Sequence, residues 1–199
     1  MTTMTRRPLA LGILLAALLT GCGYNRIQEL DEQAEQARAN IQVALQKRNQ
    51  LIPNLVATVE GAARFERGTF GEVARARAGL ERAQAQVQQA VRQGDVEAMS
   101  RADAELTRQI GTYINVAVEA YPQLQATQNF RMLQDQLAEV ENEIAVARRD
   151  YNEAVRRYNT YIRQFPYVIT AKLFGYKRKQ PYQAPPEAEQ APTVRFDSL

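Results

Sequence analysis

The 199-residue sequence contains no histidine, and its single cysteine is Cys22. Ser-His-Asp and Cys-His catalysis both need an imidazole to carry a proton near neutrality, so neither is available. Zinc and copper centres built from Cys and His are excluded on the same ground. Carboxylates remain. Asp31-Glu32 and the trio Glu139, Glu141 and Glu143 stand close enough to bind a cation or share acid/base work. They lie among arginines in stretches of helical periodicity, where opposite charges pair along a solvated face. That pairing is the expected use, with no metal, cofactor or catalytic role. Gly68 and Gly71 lack the strand before and the Lys-Ser/Thr after that a phosphate loop requires.

One constellation of polar aromatics stands apart. Tyr-Asn occurs as Tyr24-Asn25, Tyr151-Asn152 and Tyr158-Asn159, the last two seven residues apart and hence on one helical face. If the last long helix returns beside the first, Tyr158-Asn159 approaches Tyr24-Asn25. Tyr24, Asn25, Tyr151, Asn152, Tyr158 and Asn159 would then form a buried hydrogen-bonded layer that fixes register. A ligand or partner site is the alternative use of the same residues.

The elements that must position these groups are helices. Steps of three and four from Phe130 give Leu133, Leu137, Val140, Ile144, Ala147, Tyr151, Ala154, Tyr158, Tyr161 and Phe165, an apolar seam through five heptads that Pro166 ends. A first helix carries Ile27, Leu30, Ala34, Ala37, Ile41 and Ala44, then Arg48 breaks the seam before Leu51 and Leu55. Pro53 removes a backbone donor and predicts a kink there, with Asn54 beside it as a capping or contact candidate. Gly61 and Gly68-Thr69-Phe70-Gly71 mark a turn. A mostly alanine seam follows at Val73, Ala76, Leu80, Ala83, Val87 and Ala90. Gly94-Asp95 supplies a stop and the next N-cap. A third long helix carries Leu106, Ile110, Tyr113, Ile114 and Ala117, interrupted by Pro122. Four long segments with short turns predict an all-α, long antiparallel bundle of up-down-up-down order. A helical hairpin or a trimeric coiled coil is the alternative.

The ends read differently. Arg6-Arg7, an apolar run over residues 9–19 and Leu19-Thr20-Gly21-Cys22 have the order of a secretory signal that finishes in a lipobox. The run is about 11 residues, against about 20 for a spanning helix. The expectation is therefore a signal peptide at 1–21, cleaved to leave Cys22 lipidated and the chain held durably on a membrane. Loss of Arg6 and Arg7 takes the formal net charge from +3 to +1, which removes the argument for nucleic acid. The bundle spans 22–166. Residues 167–180 combine aromatics with Lys177-Arg178-Lys179, predicting a cap over the bundle's open end or, alternatively, a contact with an anionic membrane. The Pro-, Ala- and Glu-rich stretch 181–199 reads as an extended or disordered tail, with Val194 and Phe196 able to dock back.

Several of these motifs, in this order, resemble the LemA family. They are Tyr24-Asn25-Arg26-Ile27-Gln28-Glu29-Leu30, Leu51-Ile52-Pro53-Asn54-Leu55-Val56, Glu119-Ala120-Tyr121-Pro122 and Ile144-Ala145-Val146-Ala147-Arg148-Arg149. Tyr151-Asn152-Glu153-Ala154-Val155, Phe165-Pro166, Leu173-Phe174-Gly175-Tyr176 and Ala191-Pro192-Thr193-Val194-Arg195-Phe196 complete the set. The resemblance implies a membrane-attached helical bundle in the bacterial envelope and no enzymatic activity. Many family members look anchored by an N-terminal transmembrane helix, whereas this sequence carries a lipobox. The functional expectation is an envelope lipoprotein facing outside the cytoplasm, in the outer membrane where the cell has two. It would act as a scaffold for unidentified envelope proteins, with self-association open. The alternative is a carrier holding a lipid or other apolar ligand between its helices.

Overall fold

The computed structural model describes residues 6–63 and 70–183, with side chains over 23–62 and 71–183. Cys22 and the tail from residue 184 onward therefore lie outside the described side chains. Among the described residues the chain is all-α: α1 (Arg6–Ala63), α2 (Phe70–Gln93), α3 (Val96–Ala120), a 3-10 turn at Pro122–Ala126, α4 (Gln128–Tyr161) and α5 (Tyr167–Leu173). No helix among them is long and apolar enough to cross a membrane. The chain divides into two compact units, Met1–Asn40 with Ala147–Pro181 and Ile41–Val146 with Tyr182–Leu199.

The second of these units is the antiparallel bundle that the seams predict. Contacts of α1 with α2 run Gln42 to Val91, Asn49 to Gln84 and Glu60 to Arg77, rising along one helix as they fall along the other. The α2–α3 turn is built by Gly94 and Asp95. Gly94 sits at φ 68°, where L side chains are strained, and its N–H bonds the Ala90 carbonyl at 3.0 Å. The Asp95 carboxylate then accepts from the amides of Glu97 and Ala98, satisfying two orphan donors of α3. Leu45, Ile52, Leu55, Leu80, Val87, Met99, Leu106, Tyr113, Phe130 and Ile144 are buried. Each large apolar side chain withdrawn from water contributes roughly 1.5–3 kcal/mol before entropy is counted.

Pro53 does not end α1. A proline has no amide hydrogen for the carbonyl four residues back, which here belongs to Asn49. The side-chain amide of Gln84, reaching across from α2, donates to that carbonyl at 3.0 Å. The break in the helical ladder is thus met by a neighbouring helix.

In the other unit two long helices, not four, pack together: residues 23–40 of α1 and 147–161 of α4. Where a four-helix arrangement would place another pair, α5 and the extended segment 174–181 cover them. Its core joins Ile27 and Leu30 to Tyr158, Ile162 and Ala171. The seam expected for α4 also drifts here. Val155, Tyr158 and Ile162 are buried, while Ala154 and Tyr161 are only half-buried. A straight α-helix turns about 20° per heptad relative to a strict 3.5-residue repeat, so the buried stripe moves one position on. Phe165, expected as the last seam residue, lies beyond the end of α4 and is 81% exposed.

Candidate functional site

The residue that breaks the first seam forms the centre of the four-helix unit. Arg48 is 2% exposed and Asp103 1%. The Arg48 Nη2 donates to Asp103 Oδ1, while its Nη1 donates to Glu141 Oε2 at 2.7 Å and to Thr107 Oγ1 at 2.8 Å. The other Asp103 oxygen accepts from the Tyr182 hydroxyl at 2.7 Å. One guanidinium thereby joins α1, α3 and α4, and its carboxylate partner holds the C-terminal segment. Next to it, Ser100 Oγ donates to the Gln183 carbonyl at 2.9 Å. Tyr182 is itself buried, while Pro181 and Gln183 are exposed.

The two-helix unit holds the same C-terminal segment by a second set of contacts. Asn159 grips the backbone of Lys179 from both sides: its Nδ2 donates to the carbonyl at 2.8 Å and its Oδ1 accepts from the amide at 2.9 Å. Tyr151 donates to the Gln180 carbonyl at 2.9 Å. The Lys179 ammonium reaches Glu35 at 2.7 Å and Asp31 at 3.0 Å, and stands 5.4 Å from the centre of the Tyr158 ring. Burial opposes the charge on Lys179, but these hydrogen bonds outweigh it and raise its pKa above the usual lysine value. Glu35 is held below its usual value, because the bonds from Lys179 and Arg38 outweigh its partial burial.

The structure therefore brings the Tyr-Asn residues into one unit, with partners different from those expected. Tyr24 packs on Phe174 with centroids 4.9 Å apart and on Tyr176 at 6.3 Å. Tyr151 and Asn159 bond main-chain atoms of 179–180, and Tyr158 belongs to the apolar core. Asn25 is exposed and Asn152 half-buried. The segment these residues hold enters through main-chain groups, which side-chain type alone does not reveal. The carboxylates singled out as chemistry candidates act in pairing: Asp31 with Lys179, Glu141 with Arg48, and Glu143 with Lys47 at 2.7 Å. Glu32 and Glu139 are exposed. The basic trio divides, with Lys177 and Arg178 exposed and Lys179 turned inward.

The four-helix unit also carries an open groove of about 830 Å³ between the end of α1 and the start of α4. Ala57, Gly61, Leu124, Met132 and Leu133 supply its apolar floor, and Asn54 and Gln136 lie on its lining. Among the described residues no group of three or more metal-ligating side chains converges.

The sequence model of the LemA family matches residues 37–196, about four-fifths of the chain. The chain belongs to the LemA family. The match takes in the Arg48–Asp103–Tyr182 cluster and begins after Tyr24-Asn25. Among curated relatives, the magnetosome proteins MamQ 1 and MamQ 2 of Paramagnetospirillum magneticum are each 28% identical over 182 residues. Magnetosome protein MamQ of Magnetospirillum gryphiswaldense is 25% identical. Each alignment covers 83% of this chain but 66% of the relative, so the chain spans somewhat under two thirds of their length.

Proposed function

We infer that this LemA-family chain is a membrane-attached, non-catalytic scaffold of the bacterial cell envelope, tethered through a lipid on Cys22 and facing outside the cytoplasm. The observation that carries the reading is the use made of its polar chemistry. Arg48, Asp103 and Tyr182 in one unit, and Lys179, Asp31, Glu35 and Asn159 in the other, are engaged in holding helices to one C-terminal segment. Such groups fix the packing within each unit, and their use in structure supports a binding surface over a reaction centre. The lipobox and the apolar run before it support attachment. Membership of the LemA family agrees with both.

The test is crosslinking in living cells, followed by purification of the membrane-bound protein with Cys22→Ala as control. A small, reproducible set of envelope proteins that disappears in the control is the expected result. Recovery of the protein alone would sink the scaffold reading. Intact mass of the mature protein checks the anchor independently, since a chain that keeps residues 1–21 and an unmodified Cys22 contradicts it.

The groove at Leu124 and Met132 favours one second reading, a carrier of an apolar ligand. Native mass spectrometry decides it: the carrier requires a co-purified ligand mass that recurs between preparations.

A further inference from the structure

An amphipathic helix in water turns its large apolar residues inward. Helix α5 does the reverse. Thr170 and Ala171 are its buried residues, whereas Ile169 and Leu173, one helical turn apart on the same face, are 57% and 76% exposed. Phe165 before the helix and Phe174 after it are also exposed. Four large apolar side chains left in water within ten residues form a patch of the kind that marks a contact surface.

Position and charge identify what covers it. The ring of Tyr167 lies so close to Gly23 that a Cβ added there would stand 2.8 Å from its Cδ1. Helix α5 is therefore seated on the residue that directly follows Cys22, on the helix that carries the apolar run 9–19. On the membrane-attached reading above, a lipid on Cys22 places Gly23 at the bilayer surface. Around the patch, Arg163, Lys172, Lys177 and Arg178 are exposed, and residues 162–180 contain no Asp or Glu. Cations rimming exposed aromatic and aliphatic side chains match an interface of anionic headgroups over acyl chains.

We propose that α5 and its flanks are a second membrane contact. Phe165, Ile169, Leu173 and Phe174 enter the headgroup–acyl boundary, and the four cations pair with anionic lipid headgroups. This rests on the membrane-attached reading above and adds to it a direct protein–lipid surface. Attachment by one tether leaves a protein free to swivel. A second contact fixes the orientation of this unit on the membrane.

The chain contains no tryptophan, so Leu173→Trp introduces a sole reporter at an exposed position where folding is not at stake. The anchored full-length variant is bound to vesicles of phosphatidylcholine and phosphatidylglycerol, with and without brominated acyl chains. The expected result is a blue-shifted emission that falls roughly twofold with brominated lipid, as suits a side chain about 5–10 Å into the boundary. Val43→Trp, exposed on α1 in the four-helix unit and away from the groove, is the control and stays unquenched. Adding Lys172→Glu, Lys177→Glu and Arg178→Glu to the Leu173→Trp chain reduces the quenching of its indole. Three outcomes overturn the proposal. Unshifted, unquenched emission from protein that floats with vesicles leaves the tether standing and removes the second contact. A blue shift without lipid quenching assigns the patch to a second copy or another protein. Protein that does not float removes membrane attachment and this contact together.

Discussion

Arg48 of α1 and Asp103 of α3 form an ion pair almost wholly withdrawn from water. Desolvating two charges costs several kcal/mol each, and their attraction offsets this only when the remaining donors and acceptors are also met. Thr107, Glu141 and Tyr182 meet most of them. Arg48→Ala would leave Asp103 buried with the Tyr182 hydroxyl but no counter-charge, and should destabilise the protein by about 3–5 kcal/mol. The double variant Arg48→Met with Asp103→Leu removes both charges and keeps the volume. It should recover most of the loss, apart from about 1 kcal/mol for the abandoned Tyr182 hydroxyl. Urea unfolding followed by helical circular dichroism measures both. Equal destabilisation in the single and double variants would contradict a cost that arises from an uncompensated charge.

Tyr182→Phe removes the hydroxyl that donates to a charged, buried acceptor and leaves the ring in place. A loss of about 1.5–3 kcal/mol is expected in the same unfolding experiment. Because the ring remains, Ser100 and Gln183 should stay in contact. With one of its two side-chain anchors gone, the segment is nonetheless expected to open more often, so limited proteolysis within it should be faster than in the parent; an unchanged rate would show that Tyr182 does not hold the segment.

The bond from Gln84 to the Asn49 carbonyl matters because Pro53 cannot supply one. Gln84→Leu should therefore cost about 1–2 kcal/mol, since it strands a half-buried carbonyl. Pro53→Ala restores an amide hydrogen at the correct spacing, so in that background Gln84→Leu should cost little. A double-mutant cycle reads the coupling directly. Additive effects would mean that the two residues stabilise α1 independently.

How much of this was legible beforehand differs between the elements. Periodicity located the buried faces of α1, α2 and α3, and Gly94-Asp95 marked the α2–α3 turn, because each depends on residues near in sequence. Arg48 was visible as an interruption of its seam. That interruption is itself the sign of a buried charge, but its partners lie 55 and 93 residues away, and no spacing rule finds them. The same limit hid the role of Asn159, which binds main-chain atoms that every residue possesses. The buried stripe of α4 departs from a strict heptad repeat toward its end because the helix has 3.6 residues per turn. Tyr24, Tyr151, Tyr158 and Asn159 fall in one unit, but the segment 174–180 that Tyr24, Tyr151 and Asn159 contact has no periodicity to announce it.

The pair of Lys179 with Glu35 and Asp31 gives stability a defined pH dependence. Glu35 is held below its usual pKa in the folded chain, so the unfolded state binds more protons as the solution becomes acidic. Its contribution is complete above the unfolded value of about 4.3 and disappears as pH falls through the folded one. Lys179 is shifted the other way. Its contribution is complete below the unfolded value of about 10.4 and is lost as pH rises through the folded value. The difference in melting temperature between the parent and Lys179→Met should thus be flat from about pH 6 to 9 and narrow at both ends. Its size should be modest, because Glu35 and Asp31 are more than a third exposed and solvent screens them. Alkaline unfolding has a second source common to both proteins: burial pushes Tyr113 up to about 12, so its neutral form stabilises the fold until pH passes about 10. Calorimetry of parent and variant from about pH 3 to 11 separates the two sources. A difference that persists undiminished at the acid end would show that Lys179 acts through its hydrocarbon stem on Tyr158, and not through its charge.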